Sequence, residues 1–330
     1  MAPTGVVATS SVSAADSTHS KSELTEVVVT ASKVAQPLRQ VGVSIDVLSE
    51  RDLQQRNKTS LADILRTVPG ISVSNSGGLG KATSVFMRGE DSFRTRLYID
   101  GLAITDTTAT QTSPRFDSLL NQQLGRVEIL KGPQALMYGA DSGGVIAVFS
   151  PEASAPLNAD VAVEAGSFNT QNISANVRGK TDALNYFVSG GFLNTAGINA
   201  RVDDQTADND GFRNANIHIK ARAKINDQQS MGVVSRSNSS ANEYDGCYDA
   251  NYARFDSCDD SANSNAARLD WQYKTEQFSQ ELALTHYGIE HERYLAAGSA
   301  KAEEVEGVSD EAQYFAHYQI NSQVAASLGL

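Results

Sequence analysis

Two patterns of hydrophobic and polar positions divide the chain. Up to about residue 150, short apolar runs alternate with Gly-rich breaks, which favours a small mixed fold of strands, turns and short helices. Beyond the Ala/Ser/Pro segment 151–156, apolar and polar residues alternate one by one over long segments. Such alternation predicts β-strands with one apolar face and one polar face.

The clearest alternating segment runs from Ile217 to Ile225. Its even positions carry charged or titratable side chains, which are His218, Lys220, Arg222 and Lys224. A soluble sheet with one face on a core would show the same alternation. The length of the segment and the charge on its polar face favour the wall of a membrane barrel, with the apolar face outward and the polar face inward.

Similar segments recur to the end of the chain, and their aromatic residues suit the interfacial girdles of such a barrel. They include 160–165, 172–178, 268–273, 281–287 and 314–320. We count roughly eight or nine alternating segments in all. No stretch approaches the ~18 consecutive apolar residues that a membrane-spanning helix requires.

The first half of the chain carries helix and turn signals. Ser60 and Asp63 have the spacing of a capping box that opens a helix. The apolar residues Leu61, Ile64, Leu65 and Val68 then fall on one helical face, and Pro69-Gly70 ends the helix. Strands are predicted at 43–48, 71–74, 85–89 and 96–101.

The stretch from Gln123 to Phe149 is read as strand, turn, glycine turn and strand. Val127 and Ile129 supply the first strand signal, and Gly132-Pro133 breaks the chain because Pro fixes φ and removes a donor. Further glycines at 139, 143 and 144 permit turns that a side chain would obstruct.

Asp141-Ser142-Gly143-Gly144 in this stretch also matches the segment around the nucleophile of trypsin-like serine hydrolases. Such a site requires a histidine base ahead of the serine, and the only upstream histidine, His19, lies in a polar tail. The glycine-turn interpretation is therefore favoured, and no catalytic residue is predicted.

Several motifs between residues 65 and 146 together resemble one family. Arg126-Val-Glu-Ile-Leu-Lys-Gly-Pro133, followed by Leu-Met-Tyr-Gly at 136–139 and Gly-Gly-Val-Ile at 143–146, resembles the closing motif of the plug domain of TonB-dependent outer-membrane receptors. Leu-Arg-Thr-Val-Pro-Gly at 65–70, Met-Arg-Gly at 87–89 and Tyr-Ile-Asp-Gly at 98–101 continue the plug pattern. The resemblance covers about residues 25–150.

The resemblance implies an α+β plug domain followed by a transmembrane antiparallel β-barrel. Plugged transporters of this kind have about 22 strands, so the barrel is expected to be incomplete in this chain. The expected domains are a signal-peptide remnant and flexible tail at 1–22, a TonB-box segment at 23–35, the plug at 36–152 and the first part of the barrel at 157–330. The implied location is the outer membrane of a Gram-negative bacterium.

The segment Glu26-Val27-Val28-Val29-Thr30-Ala31 resembles the TonB box. On this resemblance it adds as a strand to the partner TonB, which works with energising proteins of the inner membrane. Ahead of it, Val12-Ser13-Ala14 resembles a signal-peptidase site without the basic and apolar regions that should precede one. An upstream in-frame extension carrying those regions is therefore expected.

Charge and cysteine content narrow the function classes. A net charge of −12 and a pI near 4.9 argue against a nucleic-acid-binding protein. Cys247 and Cys258 lie close together in a polar segment, and in an oxidising compartment they are expected to form a disulfide worth about 3 kcal/mol. Two unpaired thiols remain the alternative.

Two acidic segments suggest a metal site. Carboxylates gather in the loops of neighbouring hairpins without evident basic partners, and hard cations such as Ca²⁺ take six to eight oxygen ligands. The arrangement resembles the calcium-binding loops of cobalamin receptors, which implies the ligands Asn199, Asp208, Asp210, Asp245 and Asp256. The alternative is that Asx-Gly clusters serve as hairpin turns.

The resemblance also implies where a transported ligand binds. Two plug loops, 75–83 and 104–113, are expected to face outward and contact it, together with one barrel residue; the set is Asn75, Ser76, Lys81, Thr83, Thr107, Thr110 and Tyr244. Cobalamin is the expected ligand and a ferric siderophore the alternative. No covalent chemistry is implied, so an enzyme is not expected. A secreted adhesion or structural β-protein is the competing class.

Overall fold

The computed structural model describes two large sheets, of ten and five strands, and three two-stranded sheets. It describes the strands 6–11, 27–28 and 36–37, and then residues 42–330 apart from 122–123, 133–137, 139–142, 204–207, 296–298 and 322–323. A five-stranded sheet forms the heart of the plug, and a ten-stranded antiparallel sheet forms a wall beside it. The expected α+β plug followed by an incomplete barrel is confirmed.

The two plug helices begin at serine caps. Helix α1, Glu50–Arg56, starts after Ser49, whose side chain accepts from the Asp52 backbone while Asp52 accepts from the Ser49 backbone at 2.9 Å. Helix α2, Leu61–Leu65, starts after Ser60, which caps the Asp63 backbone in the predicted way. The sequence interpretation missed α1, although its Ser-x-x-Asp spacing repeats that of Ser60.

The strands of the plug form a central sheet and a separate hairpin. The central sheet has the order β4-β9-β10-β7-β8, with β10 parallel to β7 and antiparallel to β9. Its strands are β4 (Ile45–Ser49), β7 (Thr95–Ile99), β8 (Leu102–Ala103), β9 (Arg126–Lys131) and β10 (Gly144–Phe149). The hairpin pairs β5 (Ile71–Asn75) with β6 (Thr83–Met87).

The closing motif forms the centre of the plug. β9 and β10 pair along their whole length, with Ile129 opposite Ile146. Both side chains are fully buried, in a cluster that also contains Ile64 of α2 and the wall residue Val234. Gly144 allows a close approach, since a Cβ there would lie 2.0 Å from the sulfur of Met87. The two strands predicted in this stretch therefore contribute residues to the core of the plug.

Nine strands that follow the plug make the wall, in agreement with the eight or nine alternating segments in the sequence. They are β11 (Asn158–Gly166), β12 (Thr170–Lys180), β13 (Leu184–Ile198), β14 (Asp210–Lys224), β15 (Gln229–Tyr244), β18 (Cys258–Lys274), β19 (Phe278–Tyr294), β20 (Lys301–Gln319) and β21 (Ala325–Gly329). On β14, Ile217 is 46% exposed on the outer face, whereas His218 is 2% exposed on the inner face. The apolar-out, polar-in expectation is met there.

The edge of the wall carries an unexpected strand. Residues 6–11 of the predicted flexible tail form β1 (Val6–Ser11), which pairs antiparallel with β11. An edge strand presents unpaired backbone donors and acceptors, and an extended segment of the same chain satisfies them. Near the expected TonB box, β2 (Val27–Val28) pairs with β3 (Gln36–Pro37).

The two ends of the wall differ. At one end, here called the long-loop end, the strands are joined by 199–209, 245–257 and 295–300. The middle connection contains a small hairpin of β16 (Cys247–Tyr248) and β17 (Arg254–Phe255). At the opposite, short-turn end, the connections are 181–183, 225–228 and 275–277. No helix among the described residues is long and apolar enough to cross a membrane.

We expect the plug core and the outer wall face to respond differently to the same truncation. Ile146→Ala should lower the free energy of unfolding of the plug by about 2–5 kcal/mol, because it leaves a cavity in a fully buried site. Ile173→Ala, at a residue 48% exposed on the outer face of β12, should cost far less. Scanning calorimetry of the protein in detergent measures both, and equal losses would contradict the assignment of the core.

Candidate functional site

The carboxylate of Asp100 is buried at the interface between plug and wall. Asp100 occupies the turn between β7 and β8 with φ of 47°, and its side chain is 1% exposed. Its oxygens accept from His218 Nε2 at 2.8 Å, from Lys220 Nζ at 2.6 Å and from the backbone N–H of Ser150 at 3.3 Å. Two partners belong to β14 and one to the plug, so this carboxylate joins the two parts.

The charge state of Asp100 follows from these contacts. Burial raises the pKa of Asp100, but the hydrogen bond from His218 and the charge of Lys220 lower it by more. The net pKa lies well below the usual range for aspartate, so the carboxylate is ionised at neutral pH. Since a carboxylate only accepts, His218 must carry its hydrogen on Nε2.

A charged network on the wall surrounds this anchor. Arg222 binds Asp270 at 2.6 Å, and Arg268 binds Glu281 at 2.7 Å. Arg268 also lies against Gly101, where a Cβ would be 3.0 Å from the guanidinium Nε. These two pairs balance charge within the wall, and a side chain at position 101 would crowd Arg268.

A cavity of about 290 Å³ lies between the plug and this network, toward the short-turn end. Tyr98 and Tyr138 of the plug line it, with ring centroids 5.3 Å apart, and Arg222, Asp270 and Glu281 line the opposite side. Burial raises the pKa of both phenols, so both are neutral at pH 7. A space of this size admits several water molecules at about 30 Å³ each.

The second plug loop, 104–113, docks on β19. Asp106 approaches His291 Nε2 at 3.2 Å, and Arg115 lies 2.6 Å from the same nitrogen while its Nε donates to Asp117 at 3.0 Å. Burial raises the pKa of Asp106, but the hydrogen bonds from His291 and Thr108 outweigh it, and the net pKa is lowered. This cluster holds the loop at the long-loop end.

The first plug loop, 75–83, docks on β14 and β15 through Lys81. The side chain of Lys81 is buried, and its Nζ donates to the backbone oxygens of Asp210 and Gly211 at 3.2 and 3.3 Å. It also donates to Asn242 Oδ1 at 2.6 Å and to the Glu243 carbonyl. A contact between this ammonium and a transported ligand, as predicted from sequence, would require these bonds to break.

The other predicted ligand residues fall into two groups. Ser76 and Thr110 are exposed on the two docked loops. Asn75 and Thr83 instead close the first loop, because Asn75 Nδ2 donates to Thr83 Oγ1 at 2.8 Å and Asn75 Oδ1 accepts from Gly78 N at 2.6 Å. Their direct contact with a ligand stays a prediction.

The last two predicted contacts lie against the wall. Thr107 packs against Gly307 of β20, where a Cβ would be 2.2 Å from the threonine hydroxyl. Tyr244 ends β15 and shares a hydrogen bond with Arg293. The structure thus brings the plug residues of the predicted set to the long-loop end, and Tyr244 lies at the same end.

The acidic loops have basic partners that the sequence interpretation missed. Asp203 binds Arg201 at 2.9 Å and Arg254 at 2.9 Å, and Arg254 also binds Asp256 at 2.7 Å. The expectation that these carboxylates lack basic partners is therefore wrong for Asp203 and Asp256. The bridge between Asp203 and Arg254 links connection 199–209 to connection 245–257. Its two ends are 51 residues apart, so local sequence did not reveal it.

The five predicted calcium ligands occupy different environments. Asp208 is exposed, whereas Asp210 and Asp245 are buried at the ends of β14 and β15. Asn199 accepts from the Arg201 backbone at 2.9 Å. Among the described residues, the three carboxylates that lie within 4.8 Å of one another are a different set, Glu290, Glu304 and Glu306. A calcium site in the acidic loops stays a prediction.

A disulfide joins Cys247 and Cys258, with Cα atoms 6.3 Å apart. It closes connection 245–257 around its small hairpin. Within the expected TonB box, Val27 and Val28 form β2, while Glu26, Val29, Thr30 and Ala31 lie outside the described residues. Ser142 of the hydrolase-like segment also lies outside them.

We expect Asp100→Asn to loosen the plug. Removing the charge leaves Lys220 and the buried His218 without their counter-ion, and breaking a buried pair costs about 3–5 kcal/mol. Asp91→Asn, at an exposed plug residue, is the matched control. The measurement is the thermal unfolding midpoint of the plug in detergent, and a midpoint equal to that of the control would show that the anchor contributes nothing.

Comparisons with known proteins agree with this architecture. Residues 37–146 match the family described as TonB-dependent Receptor Plug Domain. The chain is 30% identical over 307 residues to the vitamin B12 transporter BtuB of Vibrio vulnificus, covering 92% of this chain and 49% of the relative. It is 28% identical over 232 residues to BtuB of Photobacterium profundum, covering 70% of this chain and 38% of the relative. The chain thus spans about half the length of the first curated relative and less of the second.

Solved structures share the fold at lower identity. FpvA of P. aeruginosa, bound to heterologous pyoverdines, superposes with a TM-score of 0.70 at 14% identity and covers 92% of this chain and 43% of its own. The ferric yersiniabactin uptake receptor FyuA of Yersinia pestis gives a TM-score of 0.60 at 20% identity, over 87% of this chain and 46% of its own. These similarities establish the plug-and-wall fold.

Proposed function

Because this chain belongs to the TonB-dependent receptors of the Gram-negative outer membrane and is related to their vitamin B12 receptors, we propose that it serves the TonB-driven uptake of cobalamin. The observation that carries the proposal is the extent of the BtuB similarity, which runs through plug and wall over 92% of the chain. A ferric siderophore is the alternative ligand, as in the receptors that share the fold.

The docked plug loops suit a receptor of this kind. The first loop, held by Lys81, and the second, held by Asp106 and Arg115, both lie at the long-loop end beside the connections of the wall. A ligand bound there would meet the exposed Ser76 and Thr110. Movement of the second loop would reach the central plug sheet, since this loop follows β8, and movement of the first loop would reach the hairpin of β5 and β6.

The plug must shift for a ligand to pass. In the proposed mechanism TonB binds Glu26 to Ala31 by adding a strand to that segment and pulls on it. The pull has to break the contacts of Asp100, Asp106 and Lys81 with the wall. No bond in the ligand forms or breaks, so the proposal assigns no enzymatic activity.

Calcium is proposed to order the connections that carry Asn199, Asp208, Asp210, Asp245 and Asp256. The donors fit in chemical kind, since all offer oxygen to a hard cation. Arg254 already binds Asp256 and Lys81 already lies near Asp210 and Asp245, so an ion there competes with these two side chains. Calcium would therefore act by drawing the two connections together, over the docked plug loops.

The decisive test is cobalamin binding to the receptor isolated from outer membranes, titrated with and without calcium. We expect tight binding that weakens on chelation and weakens again in an Asp208→Ala/Asp245→Ala variant, because the connections lose their shared ligand. Asp182→Ala, exposed in a short turn at the opposite end of the wall, is the control and should bind as the unmodified protein does.

The other outcomes separate the parts of the proposal. Cobalamin binding that is equal with and without calcium would support the ligand assignment and contradict the calcium site. The aspartates would then be explained by turn formation. Absence of cobalamin binding by a folded receptor would contradict the ligand assignment, and binding of a ferric siderophore by the same sample would establish the alternative.

A further inference from the structure

We propose that the ammonium of Lys81 is a built-in cation that fills an oxygen cage in the wall and fastens the first plug loop there. The cage is made by Asp210, Gly211, Asn242 and Glu243, at the point where β14 and β15 meet the two acidic connections. The inference does not depend on which ligand is transported.

The geometry around the nitrogen is that of a small cation among oxygens. Four acceptors lie within 3.3 Å of Lys81 Nζ, three of them backbone carbonyls and one the side-chain oxygen of Asn242. An ammonium has only three hydrogens, so at least one bond is shared between acceptors. Carbonyl and amide oxygens converging on one point from two strands are the donor set that a hard metal ion also accepts.

The charge around the cage favours a cation of any kind. Burial is the largest effect on Lys81 and lowers its pKa overall, while the nearby carboxylates of Asp210, Glu243 and Asp245 favour the charged form and oppose that shift. Glu243 also accepts from the backbone N–H of Gly211 at 2.8 Å, which ties the two strands together beside the ammonium. Without the lysine, the four acceptors would lose the donor that they share, and a buried acceptor that loses its donor is costly.

The loop is shaped to deliver this lysine. Asn75 bridges the two ends of the loop through Thr83, which fixes its width. Gly80, at φ of +77°, presses on the ring of Phe212 so closely that a Cβ would lie 1.9 Å from it. Leu79 joins Phe212 in a small apolar cluster beside the cage. The loop therefore contacts the wall through apolar packing at Leu79 and Gly80 as well as through the ammonium of Lys81.

The cage has a different occupant when the plug moves. If the first plug loop withdraws, the four acceptors open to water and a dissolved cation can take the place of the ammonium. The wall thereby keeps its balance of charge in both positions of the plug, and cation concentration opposes return of the lysine. The two acidic connections stay joined throughout, because the cage belongs to the wall.

The test compares Lys81→Met with Lys58→Met in the receptor isolated from outer membranes. Methionine keeps an unbranched apolar chain, one heavy atom shorter than that of lysine, and removes the charge. Lys58 is an exposed plug lysine. Calcium binding is measured by equilibrium dialysis. Lys81→Met should bind one more calcium ion than the unmodified protein and the Lys58→Met control, and an added Asn242→Ala substitution should abolish that extra ion. Equal stoichiometry in all variants would overturn the cage.

Hydrogen exchange tests the fastening role separately. Without calcium, the amides of 75–83 should exchange at least tenfold faster in Lys81→Met than in the control, and calcium should restore protection. Unchanged exchange would overturn the role. Should Lys81→Met fail to assemble, Asn242→Ala alone removes one acceptor, and faster exchange in 75–83 is again the required result. Calcium binding by the unmodified receptor tests the proposed site in the acidic connections. The difference in calcium stoichiometry between the variants tests the cage around Lys81.

Discussion

A wall strand that alternates apolar and polar residues has to satisfy its polar face inside the structure, and on β14 a single side chain of the plug meets two of its polar residues. One carboxylate, that of Asp100, meets both His218 and Lys220 of β14. Leaving such groups buried and unpaired would cost several kcal/mol each. The remaining inner charges, such as those of Arg268 and Glu281, balance within the wall. The position of the plug is therefore dictated by where the wall needs counter-charges.

The plug has two kinds of contact, and they differ in how readily water can replace them. Ile129 and Ile146 form a dry core that holds the plug sheet together. The plug and wall meet through buried apolar contacts, such as Leu79 with Phe212, and also through ions and hydrogen bonds beside a cavity of about 290 Å³. Water can replace a polar partner at modest cost, whereas it cannot replace a packed side chain. The polar contacts between plug and wall are therefore easier to exchange for water than the apolar contacts, which include wall residues such as Val234.

Local pattern was enough to predict the wall and part of the plug. The alternation around Ile217 placed β14, and the Ser60 cap placed α2, because both signals act within a few residues. The strand β1 depends on an unpaired edge far along the chain, which no local pattern reveals. The burial of Lys81 depends on acceptors at least 129 residues away. The resemblance of the motifs located the two plug loops in the sequence. Only the structure shows that both loops contact the wall.

The order of the plug sheet determines how it meets mechanical load. β4 is the first strand after the segment 27–37, it lies at the edge of the sheet, and β9 is its one neighbour there. Tension entering from the N-terminal side therefore loads this strand before the pairs β9–β10 and β10–β7. A sheet built in this order separates first at its edge strand. The first extension of the chain is therefore set by the length of β4, which leads directly into α1. The interior strands β9 and β10 are loaded only after β4 has separated.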